Sequence, residues 1–403
     1  MKFLIITHAA GTPDIGPNQR TYFLGQWLSK RGHDVWIVGS AEFHKYNVKP
    51  AELYGDELNQ RLNGVQYTWL KTRPYQRRNY EQVLNQFSFK NKLKGLSSRV
   101  KAYNPDVIIT SSPPPFAVSI GLKWAKRCKA KHIFEIRDLW PEIIMELGGF
   151  SQKHPYISLI RQSIKKAYSN SDAIVSVKPG DLNHIRENYK TKAELKYIPN
   201  GFDHTEVLDE PYAIPSLSEG ALKVVYVGAL SNYYAIGSLI DAAKLLENKP
   251  VEILIVGDGD DREKYEQQTK SLNLSNVHFT GFLPKKNMLS IIRQCDVAFL
   301  GLKDTKANRY GISTNKLYEY MYAKKPIIAS YSTDFDIVKS GNAGLSVKPE
   351  SPIAIANALE EMLSMSPEER NVIGQNGYEY LMRNHTFEHI SEEYLNLIDS
   401  LVK

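Results

Sequence analysis

Cysteine is nearly missing from this chain. Only Cys128 and Cys295 occur among 403 residues, which excludes a disulfide scaffold and points to a reducing, cytoplasmic compartment. No window approaches 18 uninterrupted apolar residues, so no membrane-spanning helix is expected. "MKFLIITHAAG" is apolar too briefly for a signal peptide and reads as a first strand. The ten histidines form no H-x-E-x-H or similar set, so the expectation is no metal site. No repeat of 20–50 residues occurs, which excludes a solenoid. Acid is scarce in one stretch: from Lys71 to Lys101 nine lysines and arginines stand against Glu81 alone.

What is present is a globular composition, 42% apolar and 24% charged, in a chain long enough for two cores. Apolar β-rich runs alternate with helical patterns. In the first half the strands are 2–8, 34–40, 65–70, 106–112, 131–138, 173–178 and 195–200. A second series follows at 222–229, 251–259, 277–283, 297–302, 325–330 and 344–349. Fully apolar strands alternating with helices imply parallel sheets covered on both faces. The proline-, acid- and glycine-rich stretch 200–221 reads as a linker. The expectation is an α/β chain of two doubly wound, Rossmann-like domains, 1–205 and 206–380. A helical tail, 381–403, is able to cross back to the first domain. Two such sheets place their carboxyl ends across a cleft, and ligands bind beyond those ends.

Residues just after strands are therefore the candidates. In "GISTNKLYEYMYAKKPIIAS", 311–330, Ser313, Thr314 or Asn315 can cap a helix whose first N–H groups favour an anion, with Lys316 adding charge. Glu319, one turn on, can accept hydrogen bonds from vicinal hydroxyls. An ordinary capped helix with both side chains in water would look the same. "VGDGD", 256–260, has Arg262 where the third glycine of a dinucleotide fingerprint would stand, so a tight turn is the better reading and an NAD-dependent oxidoreductase is disfavoured. Gly228 ends another strand. The loop 7–20 closes on Arg20, placed to hold a charged or polyhydroxyl ligand or to sit on a solvated helix. Arg137 and Asp138 in "EIRDLWPE" form either a structural pair or a cleft-facing one. "TSSPPPF", 110–116, is a rigid loop able to shape an acceptor pocket. The basic segment 71–101, interleaved with Tyr75, Tyr80, Phe87 and Phe89, is a solvated face or an element lying on anionic lipid; no nucleic-acid motif accompanies it.

Together these pieces resemble retaining glycosyltransferases of the GT-B fold, family 4, over nearly the whole chain. "GPNQRTYFLGQWLSKRGHDVWIVG" is similar to that family's acceptor loop and following turn, and "YIPNGFD" to the mark before its linker. "VGAL", "LIVGDGD", "NVHFTGFLPKKNM" and "CDVAFLGL" match its donor-domain strands. "NKLYEYMYAKKPIIAS" and "GNAGLSVKPESPIAIANAL" match its last two blocks. The segments "EIRDLWPE", "SSPPPF" and "STNKLYEYM" are similar to a subgroup building bacterial O-antigen, capsule and colanic acid, some members resembling N-acetyl-L-fucosamine transferases.

The resemblance implies a UDP-sugar held by the second domain through Gly228, Phe282, Leu283, Thr314, Asn315, Lys316 and Glu319. It implies an acceptor, an undecaprenyl-diphosphate saccharide, met by Gly16, Asn18, Arg20 and Ser112 in the first domain. Lys316, Arg309, Asp138 and Arg137 are the catalytic candidates. No cofactor or metal is implied, and a peripheral position on the inner membrane face is. Three departures stand out: Gly311 where the family's first acid is found, no Arg/Lys pair in "GALSNYYAIGSL", and Arg137 in place of a histidine. Lys303 or Arg309 is the expected substitute for the missing cations. A UDP-N-acetylglucosamine 2-epimerase of the same fold and a binding protein without catalysis are the rival readings.

Overall fold

A computed structural model describes the chain except for residues 16–17, 43–54, 76–79, 206, 216 and 403. It divides into two compact units, Met1–Asn200 with Phe387–Lys403, and Gly201–Thr386. The division falls five residues before the expected 205/206 boundary. The helical tail breaks at 384–387 into two helices, Pro367–Asn384 and Phe387–Val402, which belong to different units.

The first unit is an eight-stranded sheet. Its strands are β1 (Lys2–Thr7), β2 (Asp34–Ser40), β3 (Glu57–Leu62), β4 (Val65–Leu70), β5 (Val107–Ser112), β6 (Lys131–Ile136), β7 (Ala173–Ser176) and β8 (Glu194–Tyr197), in the order β3-β4-β2-β1-β5-β6-β7-β8. All pairs are parallel except β3–β4. That hairpin turns on Asn63 (φ 46°) and Gly64 (φ 85°), the residue types a tight primed turn favours. The sequence reading omitted β3, although "NG" was a signal for it. Phe3, Ile5 and Ile109 face one apolar layer; Leu4, Ile6 and Ile108 face the other. The last helix, Phe387–Val402, buries Phe387, Ile390, Tyr394, Leu397 and Ile398 in the first layer. Their 3–4-residue spacing makes one apolar stripe, each side chain contributing roughly 1.5–3 kcal/mol on burial.

The second unit is a six-stranded parallel sheet of β9 (Leu222–Val227), β10 (Val251–Val256), β11 (Val277–Gly281), β12 (Val297–Gly301), β13 (Ile327–Ser330) and β14 (Gly344–Val347). Its order is β11-β10-β9-β12-β13-β14. The chain winds outward from β9 to one edge and then, from β12, to the other. The reversal between β9 and β12 opens a crevice at their carboxyl ends, where ligands of such sheets bind. In the first unit the same reversal lies between β1 and β5.

Candidate active site

In the second unit the reversal point is held by Tyr320. This buried phenol donates to the Phe299 carbonyl (3.1 Å) on β12 and accepts from the Val227 N–H (3.0 Å) on β9. It pins the helix Asn315–Tyr322 across both strands and so fixes Lys316, one turn earlier. A Cβ on Gly228 would overlap Lys316 Cε and lie 2.6 Å from Nζ, so the absence of a side chain lets the lysine lie across the strand end. Gly228 has φ 138°, a conformation glycine tolerates. Lys316 Nζ sits 3.6 Å from the Tyr234 ring centroid and 5.8 Å from that of Tyr226. The aromatic faces hold the ammonium without neutralising it. Among the described residues Lys316 makes no salt bridge.

Thr314 occupies the cap position, but its hydroxyl takes no hydrogen bond from the helix, so the first-turn N–H groups are left uncapped by a side chain. Asn315 is exposed. Glu319 is half-buried, and burial pushes its carboxyl above the usual carboxylate range, opposed by the charges of Lys285 and Lys316. Among the described residues its carboxylate enters no salt bridge or hydrogen bond. Next along the edge, a Cβ on Gly257 would overlap the Gly228 carbonyl, and the Gly257 N–H donates to Gly281 O (3.0 Å). Backbone thus meets backbone from β9 to β11, after which Phe282 projects 73% exposed while Leu283 packs on the core. Lys316, Gly228 and Glu319 are brought together; Phe282 and Leu283 lie further along the same strand edge. Arg309 ends the short helix Lys306–Arg309 with its side chain exposed, and no contact with Lys316 occurs among the described residues.

Tyr234 and Tyr320 were missed by the sequence reading. Tyrosine at those positions is indistinguishable from core by pattern alone, although "SNYYAIG" follows directly on a strand-end glycine.

The first unit buries two of the acceptor candidates. Arg20 is 6% exposed: its Nε meets Glu135 Oε2 at 2.9 Å, and it donates to the Ile198 carbonyl (3.2 Å) and to that of Pro199. Its Nε, Nη1 and Nη2 all make contacts inside the fold. Ser112 is fully buried, its hydroxyl without a partner and away from any surface. Asn18 is half-buried, its carbonyl accepting from the Gly11 N–H, and Gly16 lies outside the described residues. Arg137 and Asp138 do emerge at the end of β6, but not as a pair with each other: Asp138 stands 3.8 Å from Lys178.

The basic segment is also sorted by the structure. Tyr75 and Phe89 are core, Lys92 pairs with Asp56 (2.7 Å) and Arg99 with Glu57 (2.6 Å), and Arg77 and Arg78 lie outside the described residues. Tyr80 and Leu84 are exposed on the helix Tyr80–Leu93. Tyr156 donates to Gln86 at 2.9 Å, setting the helix Pro155–Asn170 alongside, with Phe150 and Leu159 also exposed. Lys90 is held below its usual pKa by burial and by the charges of Lys94 and Lys166. No helix among the described residues is long and apolar enough to cross a membrane.

Two family models cover most of the chain: Glycosyltransferase Family 4 over residues 16–206 and Glycosyl transferases group 1 over residues 213–380. A Pseudomonas aeruginosa protein named "Probable glycosyltransferase WbjE" is 22% identical over 322 residues, 75% of this chain and 78% of that protein. Among solved structures, Anabaena Alr3699/HepE in complex with UDP and glucose superposes with a TM-score of 0.65 at 15% identity, covering 99% of this chain and 100% of that one. WaaG, a glycosyltransferase involved in lipopolysaccharide biosynthesis, gives 0.65 at 13% identity, covering 98% and 99%.

Proposed function

The chain carries a family 4 and a group 1 glycosyltransferase domain in the GT-B fold, and from that premise we propose that it moves a sugar from a UDP-sugar to a lipid-linked saccharide with retention of configuration. The observation that carries this reading is Lys316. Its ammonium lies across Gly228 over the Tyr234 ring, at the reversal point of the sheet and in no ion pair with a carboxylate among the described residues. A diphosphate is the ligand such a charge beside uncapped helix N–H groups would stabilise. Glu319, with no hydrogen bond of its own, is suited to the two ribose hydroxyls, and exposed Phe282 to the base. UDP is bound by the Anabaena relative in its crystal, which supports the choice of nucleotide.

In this reading the bond between the anomeric carbon and the leaving diphosphate oxygen breaks as the acceptor hydroxyl bonds to the same face of that carbon. The acceptor proton passes to a diphosphate oxygen. The protein supplies position and positive charge at the leaving group, a contribution of the kind worth 10²–10³ in rate. The charge at the diphosphate is met by Lys316, without a metal ion or cofactor. The sugar is an N-acetylamino sugar such as N-acetyl-L-fucosamine and the acceptor an undecaprenyl-diphosphate saccharide of bacterial surface polysaccharide, in keeping with the role named for WaaG. Exposed Tyr80 and Leu84 on the helix of Lys90, and exposed Leu159 on that of Lys166, support a peripheral seat on the anionic inner face of the membrane.

The test is a panel of UDP- and GDP-sugars with a synthetic polyprenyl-diphosphate saccharide. Lys316→Ala is expected to lower kcat by about 10²-fold or more. Glu319→Ala is expected to raise the donor KM about tenfold. Turnover unchanged in both variants would remove the donor site from this helix, and donor consumed without acceptor would indicate an isomerase.

A further inference from the structure

Arg137 stands at the carboxyl end of β6 with a buried donor unspent. Its backbone is fixed by the N–H donating to the Ser112 carbonyl (3.0 Å) at the end of β5. The side chain is partly open to solvent, yet Nε is buried with no hydrogen-bond partner. The carboxylates nearby are already engaged. Glu135 receives Arg20 Nε (2.9 Å) and the Tyr394 hydroxyl on one oxygen and the Ser111 hydroxyl (2.8 Å) on the other. Asp138 is drawn to Lys178 at 3.8 Å, and Arg137 forms an ion pair with neither. His8, which also feels the Arg137 charge, is held neutral, its pKa lowered to about 4 chiefly by burial. Asn85 uses its amide N–H groups on Glu42, Thr72 and Arg73, so its Oδ1 (2.5 Å) accepts the His8 Nε2 proton. Glu135 and Asp138 act on Arg137 only as neighbouring charges, without an ion pair or hydrogen bond, so its buried Nε is left without an acceptor, which is costly.

We propose that Arg137 is the oxyanion-binding residue of the acceptor subsite, taking a phosphate or carboxylate oxygen of the acceptor on its guanidinium fork. This rests on the reading of the first unit as the acceptor-binding one. The planar fork suits two oxygens of one group, which a lysine cannot match. The acceptor class is thereby narrowed to a saccharide carrying a nearby anion, either the diphosphate of its lipid carrier or an acidic sugar. Arg137 is a specificity residue here, distinct from the charge at the donor diphosphate.

The test measures binding rather than turnover, so it does not depend on the donor having been identified. In full-length protein carrying Lys316→Ala, titrate inorganic diphosphate, farnesyl diphosphate and sodium glucuronate by calorimetry, with Arg137, Arg137→Gln and Arg137→Lys. Arg137→Gln is expected to weaken one of these ligands about tenfold or more, and Arg137→Lys to recover part of the loss. Loss for the two diphosphates identifies the lipid carrier as the source; loss for glucuronate alone identifies an acidic sugar. Equal affinities across the three proteins, or a fall in Tm with affinity unchanged in the folded fraction, would make Arg137 structural and overturn the proposal. Should Arg137→Gln not fold, the Arg137→Lys comparison decides by the same criterion. A failed donor reading appears separately, as UDP affinity indifferent to Lys316→Ala.

Discussion

Asp181 shows how much a single side chain can shift the balance of this fold. It lies in the first turn of the helix Pro179–Asn188, accepts from Ser176 at 2.6 Å on one oxygen and leaves the other buried without a partner. Burial raises its pKa to about 6, against the opposing charge of Lys178. The folded state thus binds the proton more tightly than the unfolded chain does. The stabilisation from that proton is complete below about pH 4 and is lost as pH rises through about 6. Asp181→Asn is therefore expected to be more stable than the parent at pH 7, by roughly 1–3 kcal/mol, with the gap closing near pH 4. Denaturant melts at the two pH values check it; a gap independent of pH would contradict the assignment. Gly228 acts by the opposite means, through what it lacks. Gly228→Ala would force Lys316 off the strand end and impose φ 138° on an L-residue, so UDP affinity and Tm should fall together.

At the scale of elements, the final helix, Phe387–Val402, completes a core that the rest of its unit leaves open on one face. Tyr394 carries it furthest, reaching Glu135 beside Arg20 in a fully buried network. Tyr394→Phe keeps the ring and removes one hydroxyl from a buried carboxylate, with an expected loss of about 1–3 kcal/mol and a lower Tm. The flanking ion pairs, Arg31–Glu392 (2.5 Å) and Lys196–Glu393 (2.8 Å), are exposed enough that Glu392→Gln should change Tm little. Calorimetric scans of the two variants side by side separate the buried contact from the surface one. The helix Asn315–Tyr322 depends likewise on one phenol. Tyr320→Phe should loosen Lys316 and raise the donor KM before it affects folding.

The whole molecule carries a formal net charge of +7, but the charge that matters for location is local. Lys94 and Lys166 both act on Lys90, whose helix also exposes Tyr80 and Leu84, and the helix of Lys166 exposes Leu159, an arrangement suited to an anionic surface. The chain is expected to sediment with vesicles containing anionic lipid, weakly with neutral ones, and less as salt rises. The combined Lys90→Glu and Lys166→Glu changes should abolish the preference for anionic lipid. Equal partition to both vesicle types would remove the membrane from the proposed function.

The sequence by itself determined the two parallel sheets, because fully apolar strands alternating with helical segments have few other ways to be covered. It also pointed to Gly228, Lys316 and Glu319, since a strand-end glycine and a helix start with one lysine and one acid are local signals. The tertiary structure alone decided which charges are free. Arg20 looked available at its helix start, yet its partners Glu135, Ile198 and Pro199 come from 115 to 179 residues away. Arg137, in a motif equally compatible with a structural pair, makes no direct ion pair with Glu135, whose oxygens Arg20, Ser111 and Tyr394 have already engaged. A charge is consumed by whatever carboxylate the fold delivers to it, and partners that far apart in the chain leave no local pattern to read.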